Sequence, residues 1–273
     1  MNEIIFFGSN QNPKLFKNEP NKITKPIQFK FENENENENE KQIKQISSGD
    51  FSTIFLFKNG KSIEYLNEND SKQNPSKIQI ENIQKVTVGF QNKAILTKEG
   101  NVFAKGDDIN LNNTKEFINI SSLIENKNDR IIQDIVSGAN SIYLLTSNQN
   151  AYGIGLNEFG QLGFDYEAFN ETKKPILMMK NVSKIFSGNS SKYVFLLNLN
   201  QELFGCGNNF YFQLGLGESR REIQTQKLTK IQNIPKGKII AIHSIMLIEN
   251  GNENPKRKIY SCGNYRLNGL GQK

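Results

Sequence analysis

Short apolar runs of four to five residues recur along this chain, each introduced by a small residue and a glycine. Ser48-Gly49 precedes Ile54-Phe55-Leu56-Phe57, and Val88-Gly89 precedes Ala94-Ile95-Leu96. Ser137-Gly138 precedes Ile142-Tyr143-Leu144-Leu145, and Ser187-Gly188 precedes Tyr193-Val194-Phe195-Leu196-Leu197. The glycines lie 40, 49 and 50 residues apart. A fifth run, Ile245-Met246-Leu247-Ile248, follows the sole histidine, His243, and lacks the glycine. A polar turn and a second apolar segment follow each run, as in Lys98-Glu99-Gly100-Asn101 before Val102-Phe103-Ala104. Runs this short and this rich in β-branched and aromatic residues predict antiparallel hairpins rather than helices. Five hairpins are expected, over about 46–66, 85–106, 135–155, 184–207 and 239–263, with a lone strand at Glu3–Phe7.

A loop motif follows the second segment. Gly155-Leu156-Asn157-Glu158-Phe159-Gly160-Gln161-Leu162-Gly163 has the form G-x-N-x-x-G-Q-L-G. Residues 207–215 repeat it, keeping Gly207, Asn209, Gln213, Leu214 and Gly215 but placing Phe212 where Gly160 stands. Looser copies begin at Gly263, reaching Leu270, and at Gly8; Gly106-Asp107-Asp108 keeps only the opening. Glycine lets the backbone leave a strand with positive φ, asparagine bonds its own backbone, and the leucine is placed to plug the space between neighbouring sheets. Hairpins of this size bury no face alone and must stack on one another, so an all-β repeat of about 50 residues predicts propeller blades. Residues 1–273 read as one repeat domain. The alternating Asn/Glu run within 17–42 offers no apolar face and is expected to be a disordered insertion, with a second mobile loop over 67–77.

Charge and composition narrow the functional classes. The net charge is +6, and the basic excess sits in the second half: residues 1–136 carry −1 and residues 137–273 carry +7. The grouped cations are Arg220-Arg221 and Lys256-Arg257-Lys258, which we take as the partner-contact candidates. Nucleic acid or chromatin is a weaker partner, because most cations are scattered. No run approaches the roughly 18 apolar residues that span a bilayer, and no signal peptide is evident, so a cytosolic or nuclear address is the default.

Catalytic chemistry finds few carriers. Cys206 and Cys262 occupy one repeat position, which argues for packing rather than reactivity, and no C-x-x-C or histidine cluster suggests a metal. His243 reads as a structural hydrogen-bonding residue. Gly153-Ile154-Gly155 and Gly205-Cys206-Gly207 lack the helix or the G-K-[S/T] that a nucleotide site requires. Neither a metal, a cofactor nor a small-molecule substrate is implied.

The S-G-x-x-S turn, the apolar strand and the G-x-N-x-x-G-Q-L-G loop together resemble the repeat of the regulator-of-chromosome-condensation family. The resemblance is strongest over about 135–271 and weaker but in register over 1–134. It implies a β-propeller; the hairpins supply about five to six blades, against the seven usual in the family, which predicts an incomplete or open arc. The family's tryptophan position is filled here by Phe7, Lys105, Ile154, Cys206 and Cys262. The structural repeat residues Gly49, Gly89, Gly138 and Gly188 belong to the same pattern. The default reading is a non-catalytic module that docks protein partners through its loops. The resemblance also implies two alternatives: guanine-nucleotide exchange on a small GTPase of the Ran type, or the recognition arm of a larger ubiquitin ligase or signalling protein.

Overall fold

The computed structural model describes residues 4–9, 22–29, 42–66, 76–106, 116–165, 170–216, 224–234, 238–242, 245–250 and 256–261. They form twenty-one strands in six antiparallel sheets, one after another along the chain. Blade 1 pairs β1 (Ile4–Ser9) with β2 (Lys22–Phe29). Blade 2 is the meander β3 (Ile43–Ser48), β4 (Ser52–Phe57), β5 (Ser62–Leu66) and β6 (Ser76–Lys77). Blade 3 contains β7 (Ile83–Val88), β8 (Asn92–Thr97), β9 (Val102–Gly106) and β10 (Ile118–Asn119). Blade 4 contains β11 (Ile132–Ser137), β12 (Ser141–Thr146), β13 (Ala151–Leu156) and β14 (Glu171–Met179). Blade 5 contains β15 (Val182–Phe186), β16 (Tyr193–Asn198), β17 (Leu203–Asn208) and β18 (Gln224–Lys230). Blade 6 contains β19 (Lys238–Ile242), β20 (Ile245–Asn250) and β21 (Lys256–Ser261).

The hairpins expected from the apolar runs are the middle of larger sheets. Blades 2 to 5 each add a fourth strand, and its composition explains why the pattern hid it. Gln224–Lys230 is almost wholly polar, and Glu171–Met179 contains Pro175. Pro175 lies within a register shift between β13 and β14, where no ladder amide is needed. Pro26 plays the same part in β2. The strand expected to stand alone at the N-terminus pairs with β2, and Pro26 falls in the shift between the Phe6–Ile27 and Gly8–Ile23 partners. The loop expected over 17–42 therefore contains a strand at Lys22–Phe29, and the loop expected over 67–77 ends in β6; the Asn/Glu run and residues 67–75 lie outside the described residues.

Blades meet along their first strands, which form the inner layer. A Cβ added to Gly49 would lie 2.0 Å from the Gly89 carbonyl oxygen, and one added to Gly89 would lie 2.1 Å from that of Gly138. No side chain fits there. The inner strands are then close enough for side chains to bond the neighbouring backbone. Gln45 accepts from the Val86 amide and donates to its carbonyl, Ser47 Oγ accepts from Val88, and Thr87 Oγ1 accepts from Ser137. These bonds satisfy edge groups that a bare inner strand would expose.

The turns from first to second strand are joined in a closed circuit. Phe51 packs edge-on against Phe90 at 5.1 Å, linking blades 2 and 3. The Phe90 amide donates to Ala139, and the Ala139 amide to Ser191, at 2.9 Å each. Asn189 Nδ2 then donates to the Ser48 carbonyl, and Ser190 Oγ bonds Asp50 at 3.0 Å, returning from blade 5 to blade 2. Backbone partners define the equivalences: Leu156 donates to Asn140 as Asn208 does to Lys192. Lys192 thus stands where Asn140 does, and Asn189 and Ser190 are two extra residues in the blade 5 turn.

Farther out the blades diverge, and apolar side chains fill the wedge. Between blades 4 and 5 the buried cluster includes Tyr143, Leu145, Leu162, Val182, Val194, Leu196 and Cys206. Between blades 5 and 6 it includes Phe195, Leu197, Leu203, Leu214, Ile231 and Ile239. Each such leucine contributes about 2–3 kcal/mol.

One buried carboxylate holds the link between blades 3 and 4. Asp129 accepts from the Tyr152 hydroxyl at 2.7 Å and from the amide groups of Asn126, Asn148 and Asn150. Burial pushes its carboxyl up, but the bonds from Tyr152, Asn148, Asn150 and Asn126 outweigh that and hold it below its ordinary value. Burial and the same carboxylate push the Tyr152 phenol up.

Two outcomes are expected in urea unfolding. Gly89→Ala lowers stability by about 3 kcal/mol, because backbone must move to admit the methyl. A group with a depressed folded pKa contributes stability that is present above its unfolded value of about 3.9 and is lost as pH falls through the folded value. Asp129→Asn should therefore cost about 2–3 kcal/mol at neutral pH and flatten the loss of stability below about pH 4.

Candidate functional site

In an up-and-down blade, the first turn and the connection from third to fourth strand emerge at the same end. That end carries turns 49–51, 89–91, 138–140 and 187–192, together with loops 157–165 and 209–216. Among the described residues it also gathers four exposed aromatics: Phe51, Phe210, Tyr211 and Phe212 are 42%, 55%, 44% and 46% accessible. Ile131 and Leu199, also exposed, lie at the opposite end, and Ile46 on β3.

The two G-x-N loops are built alike. Asn157 Oδ1 accepts from the Leu162 amide at 2.9 Å, and Asn209 Oδ1 from Leu214 at 3.1 Å. Each bond turns the loop back so that the leucine enters the wedge, where Leu162 and Leu214 are buried. Gln161 Oε1 accepts from Phe159, and Gln213 Oε1 from Tyr211. Gly155 and Gly207 open the loops at φ of +110° and +107°, and a Cβ on either would strike the preceding turn's carbonyl.

The loops differ in what they present. Glu158, Phe159 and Gly160 in the first correspond to Phe210, Tyr211 and Phe212 in the second. Phe210 and Tyr211 pack edge-on at 4.8 Å and remain exposed. Asn208 Oδ1 accepts from the Phe210 amide and from Gln213 Nε2, which fixes the backbone beneath the rings. Phe212 has a φ of +58°, a left-handed conformation that Gly160 adopts at +72°. For a bulky side chain it costs about 1–2 kcal/mol, yet the ring gains little burial in return. Beside this ledge a shallow depression is lined by Asn189, Ser190, Lys192, Asn208, Tyr211 and Gln213. The Lys192 ammonium lies 4.5 Å from the Phe159 ring centroid.

The other sequence candidates fall as follows. Gly49, Gly89 and Gly138 come together at the inner turns, and Gly188 opens the longer turn of blade 5 with its carbonyl bonded to Ser191. The Gly163 and Gly215 amides each bond back three residues, to Gly160 and Phe212. Lys256, Arg257 and Lys258 open β21, in register with Asn250, Glu249 and Ile248. Arg220, Arg221, His243, Cys262, Gly263 and Leu270 lie outside the described residues. Sequence reasoning passed over the aromatic ledge, although three successive aromatics inside a polar loop were its visible signal.

Cys206 is fully buried in the wedge between blades 4 and 5, where burial pushes its thiol up and keeps it protonated. Among the described residues no group of three His, Cys, Asp or Glu side chains could hold a metal.

The strain at Phe212 generates a reciprocal prediction. Phe212→Gly should leave stability unchanged or raise it by up to about 1 kcal/mol, the relieved strain being partly offset by the freer unfolded chain. Gly160→Phe should lower it by about 2 kcal/mol, as read from urea midpoints.

No family model matches the chain. A stretch of 109 residues is 37% identical to an RCC1 repeat-containing protein of Dictyostelium discoideum, covering 37% of this chain and 21% of that protein. Guanine nucleotide exchange factor SRM1 of Saccharomyces cerevisiae is 26% identical over 140 residues, covering 45% of this chain and 29% of its own. Serine/threonine-protein kinase Nek9 of Xenopus laevis is 25% identical over 148 residues, covering 52% and 16%. These matched stretches amount to less than a third of each relative's length. Yeast RCC1 (Prp20), solved bound to Kap60, superposes with a TM-score of 0.69 at 20% identity, covering 90% of this chain and 63% of the other. Human WBSCR16 superposes at 0.68 with 15% identity, covering 93% and 70%. A further Prp20p structure from Saccharomyces cerevisiae, described with its binding properties to Gsp1p and histones, superposes at 0.67 with 18% identity, covering 93% and 67%. With its glycine-lined inner turns and twin G-x-N loops folded in this way, the chain has a β-propeller fold like that of the RCC1 structures, and part of it is similar in sequence to RCC1 repeats.

Proposed function

We propose that this protein works by binding, and that the end of the blades bearing the first turns is its protein-docking face. The observation that carries the reading is the ledge Phe210–Tyr211–Phe212. Three aromatic rings are held in solvent by a hydrogen-bonded backbone, one of them in a strained conformation, where the sister loop has Glu, Phe and Gly. Strain retained without a packing return marks positions kept for contact. Preorganised aromatics also lose little entropy on binding and dominate interface energies. The Nek9 match, which covers 16% of a chain named as a kinase, accords with a docking role for such a stretch.

Nucleotide exchange on a small GTPase is the second reading. It is favoured by the matches to the exchange factor SRM1 and to Prp20p, whose structure was described with its binding to Gsp1p. The two readings separate in one set of assays. Phe210→Ala/Tyr211→Ala should weaken capture of the major binding protein by about 30-fold or more with the unfolding midpoint unchanged. Capture equal to wild type would remove the docking face from its assigned place. Acceleration of GDP release from a Ran-type GTPase would favour exchange, and no acceleration across a GTPase panel would dismiss it.

A further inference from the structure

Two aromatic pairs stand on the end of the blades that bears the first turns. Phe51 meets Phe90 edge-on, with ring centroids 5.1 Å apart and planes at 73°, and Phe210 meets Tyr211 at 4.8 Å and 85°. Ser190 ties the two places together. Its Oγ bonds Asp50, the neighbour of Phe51, and it lines the shallow depression that Tyr211 also lines. Asn189, beside it, is held by its bond to the Ser48 carbonyl. The rings thus flank an anchored polar turn.

Two donors lie at the foot of the second pair. Asn208 Oδ1 is taken up by the Phe210 amide and by Gln213 Nε2, but Asn208 Nδ2 has no acceptor among the described residues. The Tyr211 hydroxyl has none there either, and both side chains line the depression.

Charge narrows the choice of occupant. The described turns and loops of this end hold Asp50, Glu158 and Asp165 against Lys192, whose ammonium sits over the Phe159 ring. A nucleic acid depends on cations for its phosphates, and an acidic peptide depends on them for its carboxylates. A face with three acids and one base selects neither. It suits an uncharged chain that offers flat apolar surfaces and carbonyl oxygens. A polyproline II helix has both: its rings pack on aromatic side chains, its carbonyls accept, and proline has no amide donor to leave unmet. Its conformation is also set before it binds, which lowers the entropy lost.

We propose that the two aromatic pairs and the turn between them bind a proline-rich segment in the polyproline II conformation. Its pyrrolidine rings lie on Phe51 and on Phe210 and Tyr211, and its carbonyls accept from Asn208 Nδ2 and the Tyr211 hydroxyl. This inference rests on the docking reading above and names the class of its partner.

The test is amide-resolved NMR titration of the full chain with decaproline, with a glycine-serine decapeptide and with a uridine octamer. Decaproline should give saturable shifts at Ser190, Asn208 and Phe210–Gln213 with a Kd of about 0.5 mM, and the other two none. Phe210→Ala/Tyr211→Ala should weaken decaproline at least about tenfold with the unfolding midpoint unchanged. Tyr211→Phe keeps the ring and removes only the hydroxyl, and should weaken it about threefold. Four results would each overturn the proposal: no saturable shifts with decaproline, equal binding of the glycine-serine peptide, preference for the octamer, or ledge shifts that follow protein concentration alone and so mark a second copy. If decaproline fails while the double variant still loses its captured protein, the docking face stands and only the partner class falls. If decaproline binds while capture by the variant equals wild type, proline recognition stands and the docking reading falls.

Discussion

At the inner turns of blades 2 to 4, a carbonyl oxygen occupies the place where the neighbouring glycine's Cβ would be. That contact sets how near the axis the blades can come. With the backbones this close, Gln45, Ser47 and Thr87 reach the adjoining strand's amides, and edges that would otherwise seek foreign partners are satisfied internally. The remaining geometry follows from divergence. Sheets that touch at their inner edges open outward, and the wedge between them must be filled. The G-x-N loop performs that filling from one end: its asparagine folds the chain back, and its leucine enters the gap.

The same loop therefore has two faces with different duties. Its inward leucine is fixed by packing, so Leu162 and Leu214 are alike. Its outward tip is free to differ, and it does: Glu158-Phe159-Gly160 in one copy, Phe210-Tyr211-Phe212 in the other. The frame tolerates a changeable surface even where, as at Phe212, the displayed residue strains the backbone, and propellers can serve unrelated partners in this way. At the other end, the link between blades 3 and 4 is secured by polar means, through Asp129 and the donors around it.

Much of this was legible in the chain. The glycines spaced by about one blade and the two G-x-N loops carry strict backbone requirements, and such requirements leave few residue choices. The outer strands were hidden because they face other demands. Residues 226–230 bury little and need no apolar alternation, and the prolines in β2 and β14 sit where register shifts accommodate them. The turn of blade 5 misled for another reason. Ser187-Gly188-Asn189-Ser190-Ser191 matches the S-G-x-x-S spacing of blade 4, yet Ser191 takes the place of Ala139 rather than Ser141. Two residues had been inserted without disturbing the pattern, because serine satisfies it at either register. The aromatic ledge was visible as letters and silent as a pattern, since nothing repeats it.

Those two inserted residues alter what kind of object the protein is. A row of stacked sheets in which each touches only the next behaves as a one-dimensional array, losing its members from the ends inward. Asn189 and Ser190 bond to Ser48 and Asp50, residues some 140 positions earlier in the chain. This contact converts the row into a loop of mutual support, in which no blade from the second to the fifth is terminal. Loss of any one of them removes that tie, so the stabilities of these repeats are not expected simply to add.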